Sequence, residues 1–115
     1  QALTVAIYSG ELVATEGAQV GTQWGPHVVE TPPAAGGVTT TPDWGGVRLR
    51  LPAGSPADYH HVHLFGVRAG GASIGTIRVP LADFVARPCM AEFPVIGGAK
   101  GDQWVGTVRM SLGME

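Results

Sequence analysis

The sequence predicts an all-β protein, an eight-stranded antiparallel β-sandwich built as a single domain over residues 1–115. Three observations lead to this prediction. The 18 glycines and 9 prolines separate short apolar runs at close intervals, as turns between strands do. Several of these runs alternate apolar and polar residues, which is the period of a strand with one buried face. A helical turn is indicated only over residues 82–85.

The clearest strand lies within residues 41–52, where a turn and a tryptophan precede a strictly alternating run. One side of that run carries Val47, Leu49 and Leu51, and the other carries Gly46, Arg48 and Arg50. The proline that follows ends the strand, because it has no N–H to give to a ladder. We therefore expect the aliphatic side to face the core and the two arginines to face solvent.

The remaining elements are assigned by the same criteria. The eight predicted strands cover residues 3–8, 26–30, 38–41, 46–51, 59–67, 74–81, 90–96 and 104–112. Residues 9–25 form the longest predicted connection, and loops of that length are usually functional or mobile.

The alternation also predicts which side chains are buried. In the fifth strand we expect Val62 and Leu64 to face the core and His61 and His63 to face solvent. In the eighth strand the predicted inward positions are Gly106, Val108, Met110 and Leu112. Trp44 and Trp104 are expected in the core.

Composition excludes several classes of function. A formal net charge of −2 gives no reason to expect nucleic acid as a partner. The single cysteine, Cys89, cannot form an intrachain disulfide, which fits a reducing compartment. No apolar run approaches the roughly 20 residues of a membrane span, and no signal-peptide pattern opens the chain. We expect a cytoplasmic protein, with peripheral attachment to a membrane or the cytoskeleton as the alternative. Because the chain starts at Gln1, we also expect a module cut from a longer protein.

Four segments stand in an order and spacing that one known family shares. They are residues 3–7 (Leu-Thr-Val-Ala-Ile), 25–28 (Gly-Pro-His-Val), 41–45 (Thr-Pro-Asp-Trp-Gly) and 73–81, which contain Ile-Gly. They resemble the opening strand and the Asp-Pro-Tyr-Val, Asn-Pro-x-Trp-Asn and Ile-Gly segments of the C2 domain, a lipid- and calcium-binding β-sandwich. The resemblance covers nearly the whole chain. The last strand resembles the phospholipase-like permutation of that family, in which the strand that opens the other topology comes last.

The resemblance also indicates what this chain lacks. Calcium-binding C2 domains place about five aspartates on two loops, because Ca²⁺ needs several anionic oxygen ligands. Here Gly25 stands where the aspartate before the proline is expected, and the first loop offers only Glu11 and Glu16. The other loop, residues 67–73, has no acid and carries Arg68. We predict no calcium and no other cofactor.

Two kinds of binding surface remain open. Arg48, Arg50 and Arg68 are candidates to attract an anionic membrane or an acidic partner, although each basic residue near an acidic leaflet contributes only about 1 kcal/mol. Val20 and Trp24, in the predicted long loop, are candidates to insert at a membrane interface. The alternative for Trp24 is that it folds back over the end of the sandwich.

His61 and His63 stand two apart on a predicted strand, a spacing of about 7 Å that suits imidazole ligation of zinc or copper. The run from His61 to Gly66 resembles the copper-ligand strand of copper–zinc superoxide dismutase. That site needs further ligands downstream, and this chain has no histidine after His63. The simpler interpretation is a solvated outer face, so no metal is assigned.

The sequence offers no catalytic constellation: we find no phosphate loop, no carboxylate pair and no ordered Ser-His-Asp set. The leading hypothesis is therefore a non-catalytic, calcium-independent C2-like module that serves protein–protein interaction or assembly as part of a larger intracellular scaffold. A partner is expected on a sandwich face or along an edge such as residues 38–41. Calcium-independent phospholipid binding is the first alternative, and a metal site at His61 and His63 is the second.

Overall fold

A computed structural model describes residues 2–52, 62–86 and 90–114. These residues form eight strands and one short helix. The strands are β1 (Leu3–Leu12), β2 (Gln19–Trp24), β3 (His27–Glu30), β4 (Asp43–Leu51), β5 (Val62–Ala69), β6 (Ala72–Pro80), β7 (Met90–Gly97) and β8 (Gln103–Met114). The helix, α1 (Leu81–Ala86), follows β6 directly and includes the predicted helical turn. No helix in these residues has the length and apolarity that crossing a membrane requires.

The strands hydrogen-bond in the order β3-β2-β5-β6-β7-β8-β1-β4, and every neighbouring pair is antiparallel. The ladder is shortest between β6 and β7, which share only two residue pairs. The sheet turns there into two layers, β3-β2-β5-β6 and β7-β8-β1-β4, whose inner faces share one core. This arrangement confirms the predicted eight-stranded antiparallel β-sandwich.

Two glycines allow β6 and β7 to meet. Gly75 and Gly97 pair directly across the junction, and both are buried. A Cβ added at Gly97 would strike the carbonyl oxygen of Ile74, and one added at Gly75 would lie 2.8 Å from the carbonyl oxygen of Ile96. The junction therefore depends on two residues that have no side chain.

The core is built from the alternating positions of both layers. β8 confirms its predicted inward set, since Gly106, Val108, Met110 and Leu112 are all buried. Trp44 is also buried, as predicted, and its indole Nε1 donates a hydrogen bond to the carbonyl oxygen of Ala18 at 2.9 Å. That bond ties the start of β4 to the loop before β2.

The predicted long connection is wrong. β1 continues to Leu12 through a bulge between Ile7 and Ser9, and the extra residue there breaks the alternation that would reveal the second half of the strand. Residues 19–24 form β2, where small and polar residues conceal the pattern. The predicted strand at residues 38–41 is also wrong, because this segment makes only one isolated bridge, between Thr39 and Thr15.

The predicted facing of the fifth strand is inverted. Phe65 and Val67 are fully buried and His63 is half-buried, whereas Val62 and Leu64 are exposed. A shift by one position moves every side chain of a strand to the other face. Phe65 decides the outcome, because it pairs with Ile77 of β6 and only one face of β5 meets the core. Trp104 also departs from prediction and is 64% exposed rather than buried.

Candidate functional site

Four connections lie together at one end of the sandwich, which we call the tip: residues 13–18, 31–42, 70–71 and 98–102. The first two are joined by reciprocal backbone hydrogen bonds between Thr15 and Thr39, with N···O distances of 3.0 and 2.9 Å. The turn at Gly25 and Pro26 joins β2 to β3 at the opposite end. The predicted match of residues 25–28 to the aspartate-bearing segment of the family is therefore wrong, because that turn is not at the tip.

The carboxylates near the tip are scattered or already engaged. Glu11, Glu16 and Asp102 are exposed. Asp43 Oδ1 accepts a hydrogen bond from the backbone N–H of Gly45 at 2.7 Å, and Glu30 is held by Arg68. Within residues 2–52, 62–86 and 90–114, no three histidine, cysteine, aspartate or glutamate side chains come together as a metal site would require.

The tip instead presents apolar side chains. Val13 is 53% exposed, Val38 is 70% exposed, and Trp104, at the start of β8, is exposed as well. Val13 and Trp104 line one shallow depression together with Thr40. Val13 and Trp104 therefore form one accessible apolar surface at the tip.

A larger groove, with a volume of about 900 Å³, crosses the outer surface of β5 to β8, and we call it the β6 groove. Its apolar lining comes from Val13, Leu64, Ile74, Ile96 and Val105. Its polar lining comes from Ser73, Thr76 and Arg78, and the rest of the lining is four glycines: Gly75, Gly97, Gly98 and Gly101. Each strand supplies one or a few members, so the groove exists only when the sheet is assembled.

Leu64 and Arg78 are the two exposed side chains that define the character of the groove. They are direct cross-strand neighbours on β5 and β6. Leu64 is 52% exposed, and Val62, two positions away on the same face, is also exposed. Arg78 is exposed and is the charged member of the lining.

The residues predicted to bind lipid or a partner are dispersed. Val20 has no exposed surface, because it lies in β2 and packs in the core, so the predicted insertion of Val20 from a loop is wrong. Trp24 is half-buried at the end of β2 remote from the tip and packs against the core. Arg48 and Arg50 are exposed on β4, in the other layer. A role for these two arginines in binding an anionic surface stays a prediction.

Arg68 already has an anionic partner. Its Nε and Nη2 donate to Oε2 and Oε1 of Glu30, both at 2.8 Å, and this forked geometry raises the pKa of the guanidinium through hydrogen bonding and charge. Gln19 Nε2 donates to the same carboxylate at 3.2 Å. The pair leaves little net charge for an anionic surface to recognise.

His63 lies in an aromatic setting rather than in solvent, so its predicted outward position is wrong. Its ring is 4.9 Å from that of Trp24 and 5.3 Å from that of Phe65. Thr22 Oγ1 donates to the carbonyl oxygen of Leu64 at 2.7 Å, so it accepts the hydrogen bond from His63 Nε2–H at 2.6 Å. Burial lowers the pKa of His63, because the charged ring would lose its hydration.

This arrangement bears directly on the metal alternative. In this tautomer Nε2 of His63 carries the proton that it donates to Thr22 and cannot bind a metal, so Nδ1 is the ring nitrogen that keeps a lone pair. Trp24 covers one side of the ring. His61, the other predicted ligand, lies outside the described residues.

Sequence reasoning missed the β6 groove and the exposed Trp104. The period-two pattern of β5 and β6 could have predicted that Leu64 and Arg78 are exposed on the same face, but only if the buried face of β5 had been assigned correctly. Trp104 lies where β7 and β8 shift register, next to the extra residue Val105. Such a bulge leaves no mark in the hydrophobic pattern.

Comparison with known proteins rests on structure. No protein-family model matches the sequence, and no curated protein matches it. The C2A domain of plant extended synaptotagmin 1 superposes with a TM-score of 0.76 at 12% identity, over 97% of this chain and 92% of that one.

Two further structures agree. The C2A and C2B domains of extended synaptotagmin 2 match with a TM-score of 0.72 at 17% identity, over 96% of this chain and 38% of that one. A structure of CC2D1B matches with a TM-score of 0.68 at 15% identity, over 96% of this chain and 53% of that one. The chain therefore has the fold of a C2 domain.

Proposed function

We propose that this protein is a non-catalytic, calcium-independent docking module that binds a protein partner through the β6 groove. The observation that carries the proposal is the groove itself, a concavity of about 900 Å³ that combines apolar side chains with one charged side chain. Its apolar residues rest on the core: Ile74 and Val105 pack against it. Leu64 offers the exposed apolar surface that a partner would cover. The C2 fold serves binding in the family it resembles, which supports a docking role.

The calcium-independent part of the proposal follows from the ligands available at the tip. A calcium site needs six to eight oxygen ligands, several of them anionic. Glu30 is paired with Arg68 and Asp43 accepts a hydrogen bond from a turn amide, which leaves Glu11, Glu16 and Asp102 as the other acids at the tip. Among the described residues these carboxylates do not come together as a group that could hold a metal ion, so they supply too few ligands.

The non-catalytic part rests on the neighbours of the described polar groups. A nucleophile or general base needs a partner side chain that orients it. His63 shares its proton with Thr22, whose hydroxyl is itself committed to a carbonyl oxygen. No histidine in the described residues hydrogen-bonds a carboxylate. The β6 groove carries one titratable group, Arg78, which cannot act as a base near neutral pH.

Membrane attachment through the tip is the second candidate function. Val13, Val38 and Trp104 are exposed on adjoining connections, and tryptophan is favoured at the membrane interface. Lys100 lies in the same end of the molecule and is exposed. This candidate replaces Val20 and Trp24 with residues whose side chains are accessible.

Two binding assays separate the candidates. Affinity capture from the organism that expresses the protein, quantified by mass spectrometry, compares wild type with Leu64→Ser and Trp104→Ser. Co-sedimentation with phosphatidylcholine–phosphatidylserine vesicles uses the same three proteins in calcium and in chelator. We expect partners that depend on Leu64 and not on calcium. Vesicle binding that depends on Trp104, without any Leu64-dependent protein, would replace protein docking with membrane attachment.

A further inference from the structure

Resting on the proposed function, we infer that the β6 groove recognises a short apolar segment of a partner protein that places a carboxylate against Arg78. Three features of the groove, each independent of the others, define this ligand. They are its apolar lining, its single charge and the glycine beside it.

The apolar lining calls for apolar side chains on the partner. Ile74 and Val105 pack against the core, so they form a rigid floor rather than a mobile surface. Leu64 stands more than half exposed above that floor. Covering a leucine held in this way removes apolar area from water without the entropic cost of ordering the site first.

The charge calls for an acid. Arg78 is the charged residue of the groove, and its partner across the strands is Leu64 rather than a carboxylate. Two other arginines differ, because Arg68 on β5 is paired with Glu30 and Arg109 on β8 lies 3.9 Å from Glu92. Among the described residues, Arg78 makes no ion pair. A guanidinium with five donors in a planar fork matches a carboxylate in two-pronged geometry.

A protein segment fits this charge better than a membrane does. One arginine beside a leucine supplies a single directed contact. An anionic leaflet is attracted by clusters of basic residues, each contributing little. The groove volume of about 900 Å³ accommodates a short segment rather than a folded domain.

Gly66 supplies the third feature. It lies in the middle of β5 between Leu64 and Arg68 on the outer face, and it pairs with Thr76 of the groove. A Cβ added there would meet nothing within 4 Å, and its backbone has no left-handed conformation that demands glycine. A glycine inside a strand marks either a bulge, such as the register shift between Val67 and Arg68, or a place where another chain approaches closely. Gly66 keeps the surface beside Leu64 flat.

The test starts from a random-peptide phage library selected on the immobilised protein. The enriched peptide is then titrated by fluorescence anisotropy against wild type, Arg78→Glu, Leu64→Ser and Gly66→Thr. Arg48→Glu, on the other layer, is the matched charge control. We expect enriched peptides with apolar residues near an aspartate or glutamate, and affinity losses of about tenfold or more for Arg78→Glu and Leu64→Ser. Arg48→Glu should bind like wild type.

Two further measurements distinguish a lost contact with the peptide from a misfolded protein. Gly66→Thr should lose peptide affinity while its melting temperature stays equal to that of wild type or rises. A peptide in which the acidic residue is changed to lysine should bind Arg78→Glu better than it binds wild type.

Enriched peptides without an acidic residue, or an unchanged affinity for Arg78→Glu, would overturn the inferred ligand. The proposed protein docking would still hold if Leu64→Ser lowered the affinity for those peptides. No enriched peptide, together with vesicle binding, would overturn both proposals.

Discussion

Replacing Gly97 by alanine tests how the two layers of the sandwich are joined. Gly97 pairs with Gly75 in one of only two residue pairs that link β6 to β7. A methyl group at this position would collide with the carbonyl oxygen of Ile74 and lie 3.0 Å from the Cα of Gly75. Both obstacles are backbone, so they cannot be relieved by a side-chain rotation. The two strands must move apart.

The magnitude follows from two contributions. Overpacking at a site that cannot relax costs about 1–3 kcal/mol. Separating the strands weakens the hydrogen bonds of a two-pair junction, each worth about 0.5–1.5 kcal/mol. We therefore expect Gly97→Ala to reduce the free energy of unfolding by roughly 2–4 kcal/mol. In a domain of this size that corresponds to a fall of about 8–16 °C in Tm.

Gly66→Ala is the matched control. Gly66 is also in the interior of a strand, but its added Cβ has open space around it. Removing the conformational freedom of that glycine should leave stability unchanged or raise it by up to about 1 kcal/mol. Urea unfolding followed by tryptophan fluorescence and far-UV circular dichroism gives both free energies. Equal stabilities of Gly97→Ala and wild type, or equal losses in the two variants, would refute the assigned close approach.

Three further predictions follow from the same structure. Burial lowers the pKa of His63 below its unfolded value of about 6.5. The free energy of unfolding should therefore not depend on this group above that pH, and it should decrease as the pH falls from there toward the folded pKa, by at most about 1.4 kcal/mol per pH unit. His63→Gln, which keeps an N–H donor for Thr22, should flatten this dependence in urea unfolding from pH 7 downward, and an unchanged slope would contradict it. Trp104→Ser should change the free energy of unfolding by less than about 0.5 kcal/mol, because Trp104 is exposed. Trp44→Phe loses the hydrogen bond to Ala18 and should reduce the free energy of unfolding by about 1 kcal/mol or more. Similar losses in the two variants would contradict the exposed position of Trp104 and the buried position of Trp44. Millimolar calcium should leave Tm unchanged relative to chelator, and a rise of several degrees that chelator reverses would show that the tip holds the ion after all.

Strands whose alternation is unbroken were predictable from the sequence. In β4 from Val47 to Leu51 and in β8 from Val108 to Leu112, large apolar residues stand at every second position, and these inward faces were assigned correctly. The number of strands was correct, but one predicted strand was false and β2 was missed. The errors lie where a bulge adds a residue, as between Ile7 and Ser9, or where glycine and threonine replace larger apolar residues. Local pattern carries no information at such positions.

The face of β5 shows why pattern alone was insufficient. Val62 and Leu64 form one apolar set, and Phe65 and Val67 form the other, so the sequence supports both orientations. Phe65 is buried opposite Ile77, which places His63 on the same inner face. The half-buried His63 is tolerated there because Thr22 accepts the hydrogen bond from its Nε2–H. That choice turns Leu64 outward and thereby creates the β6 groove.

By itself, the sequence determined an antiparallel β-sandwich with a tip poor in carboxylates, because turn residues, strand alternation and the count of acids are local properties. Only the tertiary structure decided which side chains meet. It placed Arg68 against Glu30, buried Val20, exposed Trp104, and brought Leu64 beside Arg78. Each of these outcomes depends on the register between paired strands, and register is decided by packing on the shared core rather than by the sequence of any one strand.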